Sequence, residues 1–140
     1  MSCVGLLLAI GCRPAEPPAA EPPAAEPAEG AHGEEVVLTD TNFLDRVLAS
    51  DKPVLVDFYT TWCPPCKQMA PIVAELAVEY EGRVVVGKVD VDENTRLGNE
   101  YEIKAIPTFI VFNEGKAVGR VVGSATKERL AGILDPLLSQ

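Results

Sequence analysis

The sequence predicts an α/β domain in which a mixed central β-sheet is flanked by helices on both faces. Apolar segments of strand length alternate with segments of helical periodicity over residues 34–101, an order typical of β-α-β units with parallel strands. Residues 108–138 instead predict a β-hairpin followed by an amphipathic helix, which adds antiparallel strands to the same sheet. This change of pattern along the chain is what predicts a mixed sheet.

Hydrophobic spacing predicts four elements in the first half of this domain. A short strand covers residues 36–38, and apolar residues at helical spacing predict a helix over 43–48, capped by one of the polar residues 40–42. The nearly continuous apolar run 53–59 predicts a buried strand. Residues 64–80 predict a long helix that begins at two prolines, where the missing N–H groups cost least.

Five further elements are predicted in the second half. A strand over 84–91 precedes a short helix over 95–101. The strands 108–112 and 117–122 are joined by an Asn-Glu-Gly-Lys turn, which indicates a hairpin. An amphipathic helix over 127–138 ends the domain.

The charge of the chain excludes one class of partner. The formal net charge is -9 at pH 7, and residues 34–140 contain 17 Asp and Glu against 11 Lys and Arg. A protein that binds nucleic acid needs a basic patch to neutralise phosphates. We therefore expect no nucleic-acid partner.

The N-terminal residues 1–12 predict a secretory signal of the bacterial lipoprotein type. An apolar run at 4–10 is too short to span a membrane, and it leads into Gly11 and Cys12, where Cys12 is the candidate for lipidation. No Lys or Arg precedes the run, so the alternative is a cytoplasmic protein without a signal. The lipid-anchored reading predicts a protein that faces the periplasm from the bacterial cell envelope.

Residues 13–33 predict a disordered linker. They consist mainly of Pro, Ala and Glu and contain a repeated Ala-Glu-Pro-Pro-Ala unit, a composition that cannot build a core. A proline-rich chain favours extended polyproline II at about 3.1 Å per residue, so the linker could span roughly 65 Å. We interpret the segment as a tether between an anchor and the domain 34–140.

Cys63 and Cys66 form an isolated C-x-x-C and are the candidates for chemistry. A disulfide scaffold would spread its cysteines through the domain, and a structural zinc site would normally need two more Cys or His ligands. Residues 34–140 contain no such ligands, and His32 lies in the linker. We expect no metal and no cofactor, and the pair is predicted to form a redox disulfide.

The position of the pair between a strand and a helix predicts a role for each cysteine. Cys63 should lie near free backbone N–H groups and the positive end of the helix dipole, which favour the thiolate. We predict that Cys63 attacks a substrate disulfide and that Cys66, the more buried of the two, resolves the mixed disulfide. Pro64 and Pro65 suit the first turn of the helix and stiffen it.

Asp57 is the candidate proton acceptor. It interrupts an otherwise apolar strand, and a carboxylate is costly to bury unless it is paired or used. Burial would raise the pKa of this carboxyl, which suits a general base. The alternative is an aspartate at the edge of the sheet that faces water.

Residues 34–140 resemble the thioredoxin family over their whole length. The segment Val-Asp-Phe-Tyr-Thr-Thr-Trp-Cys-Pro-Pro-Cys-Lys, residues 56–67, is similar to the active-site strand and turn of that family. The segment Ala-Ile-Pro-Thr-Phe, residues 105–109, is similar to the family's cis-proline segment. The resemblance implies a thioredoxin fold and a thiol:disulfide oxidoreductase.

The resemblance also implies roles for individual residues. Pro107 is expected to be cis and to pack against the sulfurs, and Trp62 is expected on the surface, in an apolar collar with Pro107 and Gly123. A lysine at position 88 is expected near Asp57, where it assists catalysis. The backbone of Ile106 is expected to pair with an extended segment of the substrate. The full set of expected substrate-binding residues is Trp62, Pro64, Pro65, Ile106, Pro107 and Gly123.

The sequence departs from the commonest form of the family at Pro64, where glycine is usual, and at Tyr59, where a second tryptophan is frequent. The residues between the cysteines tune the redox potential in this superfamily, so Pro64 leaves the direction of electron flow open. Our first hypothesis is a membrane-tethered reductase of protein disulfides, supplied with electrons by a membrane or soluble donor. The alternatives are an oxidase or isomerase of the same fold and a non-catalytic binding module. A monomer is expected.

Overall fold

The computed structural model describes residues 34–139. The segments interpreted as signal and linker, with Cys12 and His32, lie outside the described residues. Five strands form one sheet in the order β1-β3-β2-β4-β5. Their bounds are β1 Glu35–Leu38, β2 Val54–Tyr59, β3 Val85–Asp90, β4 Thr108–Asn113 and β5 Lys116–Val122.

The sheet is mixed, as predicted. Strand β3 pairs in parallel with both β1 and β2, whereas β4 runs antiparallel to β2 and to β5. The β2–β3 register runs from Val54 opposite Val85 to Tyr59 opposite Asp90. Because β2 and β3 end together, the segments that follow them emerge at the same edge of the sheet.

Helices cover both faces of this sheet. They are α1 Pro64–Glu79, α2 Thr95–Glu100 and α3 Lys127–Leu138. On one face α1 and α3 pack through Met69, Val73 and Leu130 on a core that includes Leu55 and Phe109. On the other face, α2 and the segment before β2 cover a second core that contains Phe58, Ile110, Phe43, Val47 and Leu97.

The helix predicted over 43–48 is a short π-helical turn, Leu44–Leu48. Phe43 and Val47 are buried, but Leu44 is 66% exposed. A single turn has only one face toward the sheet, so it cannot bury all of the apolar residues in the segment.

The hairpin predicted between β4 and β5 is present, with Glu114 and Gly115 at the turn. Their φ angles are 52° and 77°, so both residues lie in the left-handed region. Two consecutive residues of positive φ define a turn whose twist matches that of the flanking strands. Glycine adopts this conformation without strain, which explains its place in the turn.

The prediction that one of the polar residues 40–42 caps the turn Leu44–Leu48 is wrong, because the N-cap is Phe43 and no side chain caps the turn. The Leu97 N–H of α2 donates a hydrogen bond to Asp40 Oδ1 at 3.1 Å. The Asp40 N–H donates in turn to Asn94 Oδ1 at 3.0 Å. Asp40 therefore satisfies a free N–H in the first turn of a helix that lies more than fifty residues further along the chain, and it ties α2 to the end of β1.

We expect Asp40→Ala to lower the free energy of unfolding by about 1 kcal/mol, because it leaves the Leu97 N–H without its acceptor. Urea denaturation of the full chain measures the change. Asp51→Ala, which removes the same charge from an exposed bend, is the control. Equal effects of the two substitutions would contradict the assignment of a capping role to Asp40.

Candidate active site

Cys63 occupies the N-cap of α1, directly after the loop that follows β2. Its backbone is extended, with φ -84° and ψ 111°, as an N-cap residue requires. The Cys66 N–H donates to Cys63 Sγ at 3.2 Å. This hydrogen bond and the helix dipole stabilise negative charge on Cys63 Sγ, which is the condition for a nucleophilic thiolate.

The two cysteines form a disulfide, with their Cα atoms 5.3 Å apart. Pro64 and Pro65 occupy the first positions of α1 and are exposed. Their rings restrict the backbone of the residues between the sulfurs. The segment between the cysteines therefore has a conformation that brings the two sulfurs together, as the sequence predicted.

The predicted difference in burial between the cysteines is wrong for this disulfide form. Cys63 is 3% exposed and Cys66 is 5% exposed, so both are buried. The disulfide holds Cys63 Sγ against the first turn of α1, whereas the prediction placed Cys66, nearly one helical turn later on the same face, deeper than Cys63.

The Ile106–Pro107 peptide bond is cis, as the resemblance implied. Pro107 is buried, and Ile106 is partly exposed. The Gly123 N–H donates to the Pro107 carbonyl oxygen at 2.7 Å, which ties the end of β5 to the cis-proline segment. Gly123 has a φ of +84°, and a Cβ there would meet no atom within 4 Å, so its backbone conformation favours glycine.

Trp62 lies on the surface, as the resemblance implied, with 65% of the residue exposed. Its Nε1–H donates to Asp92 Oδ2 at 2.7 Å. Asp92 itself lies just beyond β3, where its N–H donates to Asp90 Oδ1. The hydrogen bond from Trp62 to Asp92 fixes the indole beside the cysteine pair. Asp92 was not among the predicted site residues, since no local pattern links it to a tryptophan thirty residues earlier.

Asp57 faces a cavity of about 170 Å³ that Cys66 also lines. The residue is 7% exposed and lies on β2 at the centre of the sheet. The alternative of an edge aspartate facing water is therefore wrong. Its Oδ1 atom is buried without a hydrogen-bond partner among the described residues.

Burial raises the pKa of Asp57 from 3.8 to about 7. Loss of hydration in the cavity is the main cause, because it disfavours the charged carboxylate. The negative charge of Glu35 raises the pKa further, and the ammonium of Lys88 opposes both effects. Asp57 can therefore change protonation state near neutral pH, as a general base must.

Lys88 lies beside Asp57, because the two residues are register partners on β3 and β2 and line the same cavity. Lys88 Nζ lies 3.6 Å from Glu35 Oε2. Glu35 was not among the predicted site residues. A glutamate at the start of a short edge strand carries no signal of a site, and only the pairing of β1 with β3 brings it to the cavity.

The described residues contain no group of three His, Cys, Asp or Glu side chains that could hold a metal ion. Within residues 34–139, no helix is both long and apolar enough to cross a membrane.

We expect Asp57→Asn to stabilise the oxidised protein in a pH-dependent manner. A buried acid with a raised pKa is protonated in the folded state over a pH range in which the unfolded state is ionised, so stability falls as pH rises from about 4 to about 7. An asparagine at position 57 does not ionise, so the variant does not lose stability in this way as the pH rises. The gain in the free energy of unfolding should be small at about pH 4 and reach up to about 4 kcal/mol at about pH 8.

Urea denaturation of the full chain at both pH values measures this difference. Asp51→Asn, at an exposed position, should change stability by a similar small amount at both pH values. A gain from Asp57→Asn that does not grow with pH would contradict a raised pKa at this site.

Comparisons with known proteins agree with this geometry. The family model described as Thioredoxin matches residues 34–136. The chain is 46% identical over 98 residues to Thioredoxin 1 of Nostoc sp., covering 70% of this chain and 92% of that protein. It is 48% identical over 100 residues to a thioredoxin of Staphylococcus aureus, covering 71% and 94%.

A third relative is the bifunctional thioredoxin reductase/thioredoxin of Mycobacterium leprae. It is 45% identical over 98 residues, which cover 70% of this chain and 21% of the relative. The fold, the Cys63–Cys66 disulfide at the start of α1 and these similarities agree. The chain belongs to the thioredoxin family and is a protein-disulfide reductase of the thioredoxin type.

Proposed function

We propose that this protein is a membrane-tethered reductant of protein disulfides in the bacterial cell envelope, facing the periplasm. The observation that carries the reaction is the hydrogen bond from the Cys66 N–H to Cys63 Sγ at the start of α1. It stabilises the attacking thiolate. The tether is supported by the sequence of residues 1–33, which lie outside the described residues.

The first step is attack by the Cys63 thiolate on one sulfur of the substrate disulfide. A bond forms between Cys63 Sγ and that sulfur, the substrate S–S bond breaks, and the second substrate sulfur leaves as a thiolate with the bonding electron pair. Pro64 and Pro65, at the start of α1, are exposed. This exposure leaves room for a protein substrate to approach.

In the second step, Cys66 resolves the mixed disulfide. Asp57 takes the proton of the Cys66 thiol, and the resulting thiolate bonds to Cys63 Sγ. The first substrate sulfur leaves with the electron pair of its bond to Cys63. The substrate has then gained two electrons and the Cys63–Cys66 pair has lost two. Lys88, in the same cavity, stabilises the carboxylate form that accepts the proton.

The substrate chain is held by the apolar collar of Trp62, Pro107 and Gly123. The exposure of the indole and the hydrogen bond between Gly123 and Pro107 support this role. The backbone of Ile106, next to the collar, pairs with an extended segment of the substrate, in the manner of an added strand.

The oxidised pair must be reduced again by an electron donor. For a tethered protein we propose a membrane donor, and for a cytoplasmic form a soluble one. The similarity to a relative named as a bifunctional thioredoxin reductase/thioredoxin supports a dedicated protein donor.

We expect the Cys63–Cys66 pair to have a low reduction potential, near the value of about -270 mV of a reducing thioredoxin. Equilibration of the full chain against defined thiol buffers measures it. The Cys63→Ser chain is the control, because it keeps Cys3 and Cys12 but cannot form the disulfide. A value near about -120 mV, which is typical of a strong oxidant, would contradict a reductase and favour an oxidase, with Pro64 as the residue to test next.

We expect Cys12 to carry a lipid in a bacterium that expresses the full chain. Labelling with a radioactive fatty acid should mark the wild-type chain and a Cys3→Ser chain but not a Cys12→Ser chain. The wild-type chain should also sediment with membranes. Absence of label, or label that survives Cys12→Ser, would contradict the tether and leave a cytoplasmic protein as the alternative.

A further inference from the structure

The cavity behind the disulfide contains a second carboxylate besides that of Asp57. Glu35 lines the cavity together with Asp57, Cys66 and Lys88. Its Oε2 lies 3.6 Å from Lys88 Nζ, and the two side chains are only 24% and 37% exposed. The ion pair is therefore partly removed from water, where screening by solvent is weaker than at an open surface.

The strand register explains this arrangement. Asp57 and Lys88 are register partners on β2 and β3. Glu35 on β1 is the partner of Val86, two residues before Lys88. Residues two apart on a strand share a face of the sheet, so Glu35, Lys88 and Asp57 all lie on the face that α1 covers.

Five charged or titratable groups besides Asp57 face this cavity. They are Glu35 from β1, Tyr59 from β2, Lys88 from β3, and Cys66 and Lys67 from α1. Desolvation, followed by the charge of Asp90, raises the pKa of Tyr59 above its ordinary value, so this phenol is neutral near pH 7. Lys67 is exposed. Glu35 and Lys88 are therefore the charged neighbours that act on Asp57.

We propose that Glu35 is a positioning residue of the resolving step, in which its carboxylate holds the Lys88 ammonium and sets how strongly Asp57 retains the proton taken from Cys66. Glu35 acts in two ways, and both make Asp57 hold its proton more strongly. It neutralises part of the positive charge that would otherwise stabilise the Asp57 carboxylate, and it adds a negative charge to the same cavity. Asp57 Oδ1 has no hydrogen-bond partner among the described residues. The carboxyl is therefore sensitive to these two effects of Glu35, because no hydrogen bond offsets them.

This inference rests on the proposed function, in which Asp57 receives the Cys66 proton. A base that holds its proton too weakly accepts it poorly, and one that holds it too strongly is already protonated. Glu35 moves Asp57 toward the stronger base. In the proposed step, the proton passes from Cys66 Sγ to Asp57, and Glu35 and Lys88 neither donate nor accept it.

The test is the pH profile of the resolving step in the reduced full chain carrying Cys3→Ser and Cys12→Ser, so that Cys63 and Cys66 are its only thiols. A small aromatic disulfide such as DTNB is mixed with the protein in a stopped-flow instrument. Attack by Cys63 releases one coloured thiolate, and resolution by Cys66 releases a second in a slower phase that does not depend on the concentration of the disulfide. The rate constant of that phase should rise with pH around a midpoint set by Asp57.

Glu35→Gln should move this midpoint to lower pH by about 0.5 to 1 unit, less than the shift of 1 to 3 units expected from a charge in direct contact. Glu34→Gln is the matched control, because it removes the same charge from the adjacent exposed residue and should leave the midpoint unchanged. A midpoint that does not move in Glu35→Gln, or that moves equally in both variants, would overturn the proposal.

Asp57→Asn separates failure of this inference from failure of the proposed function. If the pH dependence of the slow phase survives Asp57→Asn, Asp57 is not the proton acceptor, and the proposed step fails together with the inference. If Asp57→Asn removes that dependence but Glu35→Gln does not move the midpoint, only the role of Glu35 is refuted. Titration of the Asp57 carboxyl carbon by NMR in the Glu35→Gln chain should show a shift in the same direction as the kinetic midpoint.

Discussion

The parallel pairing of β2 with β3 determines the geometry of the whole site. Its register sets Asp57 beside Lys88 within the sheet, and the chain beyond the two strands continues into Cys63 on one side and Asp92 on the other. The same pairing thus supplies the buried carboxyl, its ammonium neighbour and the acceptor that holds Trp62. A slip of one residue would turn Asp57 toward the opposite core and separate it from Cys66. Asp57 and Lys88 are therefore positioned by paired strands rather than by loops.

Much of this arrangement could be predicted from the sequence, because the signals are local. Alternation of apolar runs defined the strands and the long helix to within a few residues. The position of Cys63 between a strand and a prolyl first turn predicted an N-cap thiolate. Asp57 was conspicuous as the one acid in an apolar strand, since a buried charge is costly without a use. The cis form of Pro107 could be predicted only from the resemblance to a family. Most X–Pro bonds are trans, so the sequence alone favours the trans form.

The rest could not be predicted, because it depends on pairings between distant segments. Asp40 suggested a cap for the turn that follows it, yet its carboxylate bonds to the Leu97 N–H of α2. Glu35 resembles any solvated glutamate until the β1–β3 register places it against Lys88. Each of these cases requires knowledge of which segments are neighbours in space.

The hydrogen bond between Trp62 and Asp92 has a practical consequence. Trp62 is the only tryptophan among the 140 residues. Indole emission from this protein therefore arises at one point, directly next to Cys63 and largely open to solvent. A ring whose N–H donates to a carboxylate at 2.7 Å samples few orientations, so its emission spectrum reflects the surroundings of this one surface position. The chain therefore carries an optical probe of this surface, and no added dye is needed to detect a change in the surroundings of the indole.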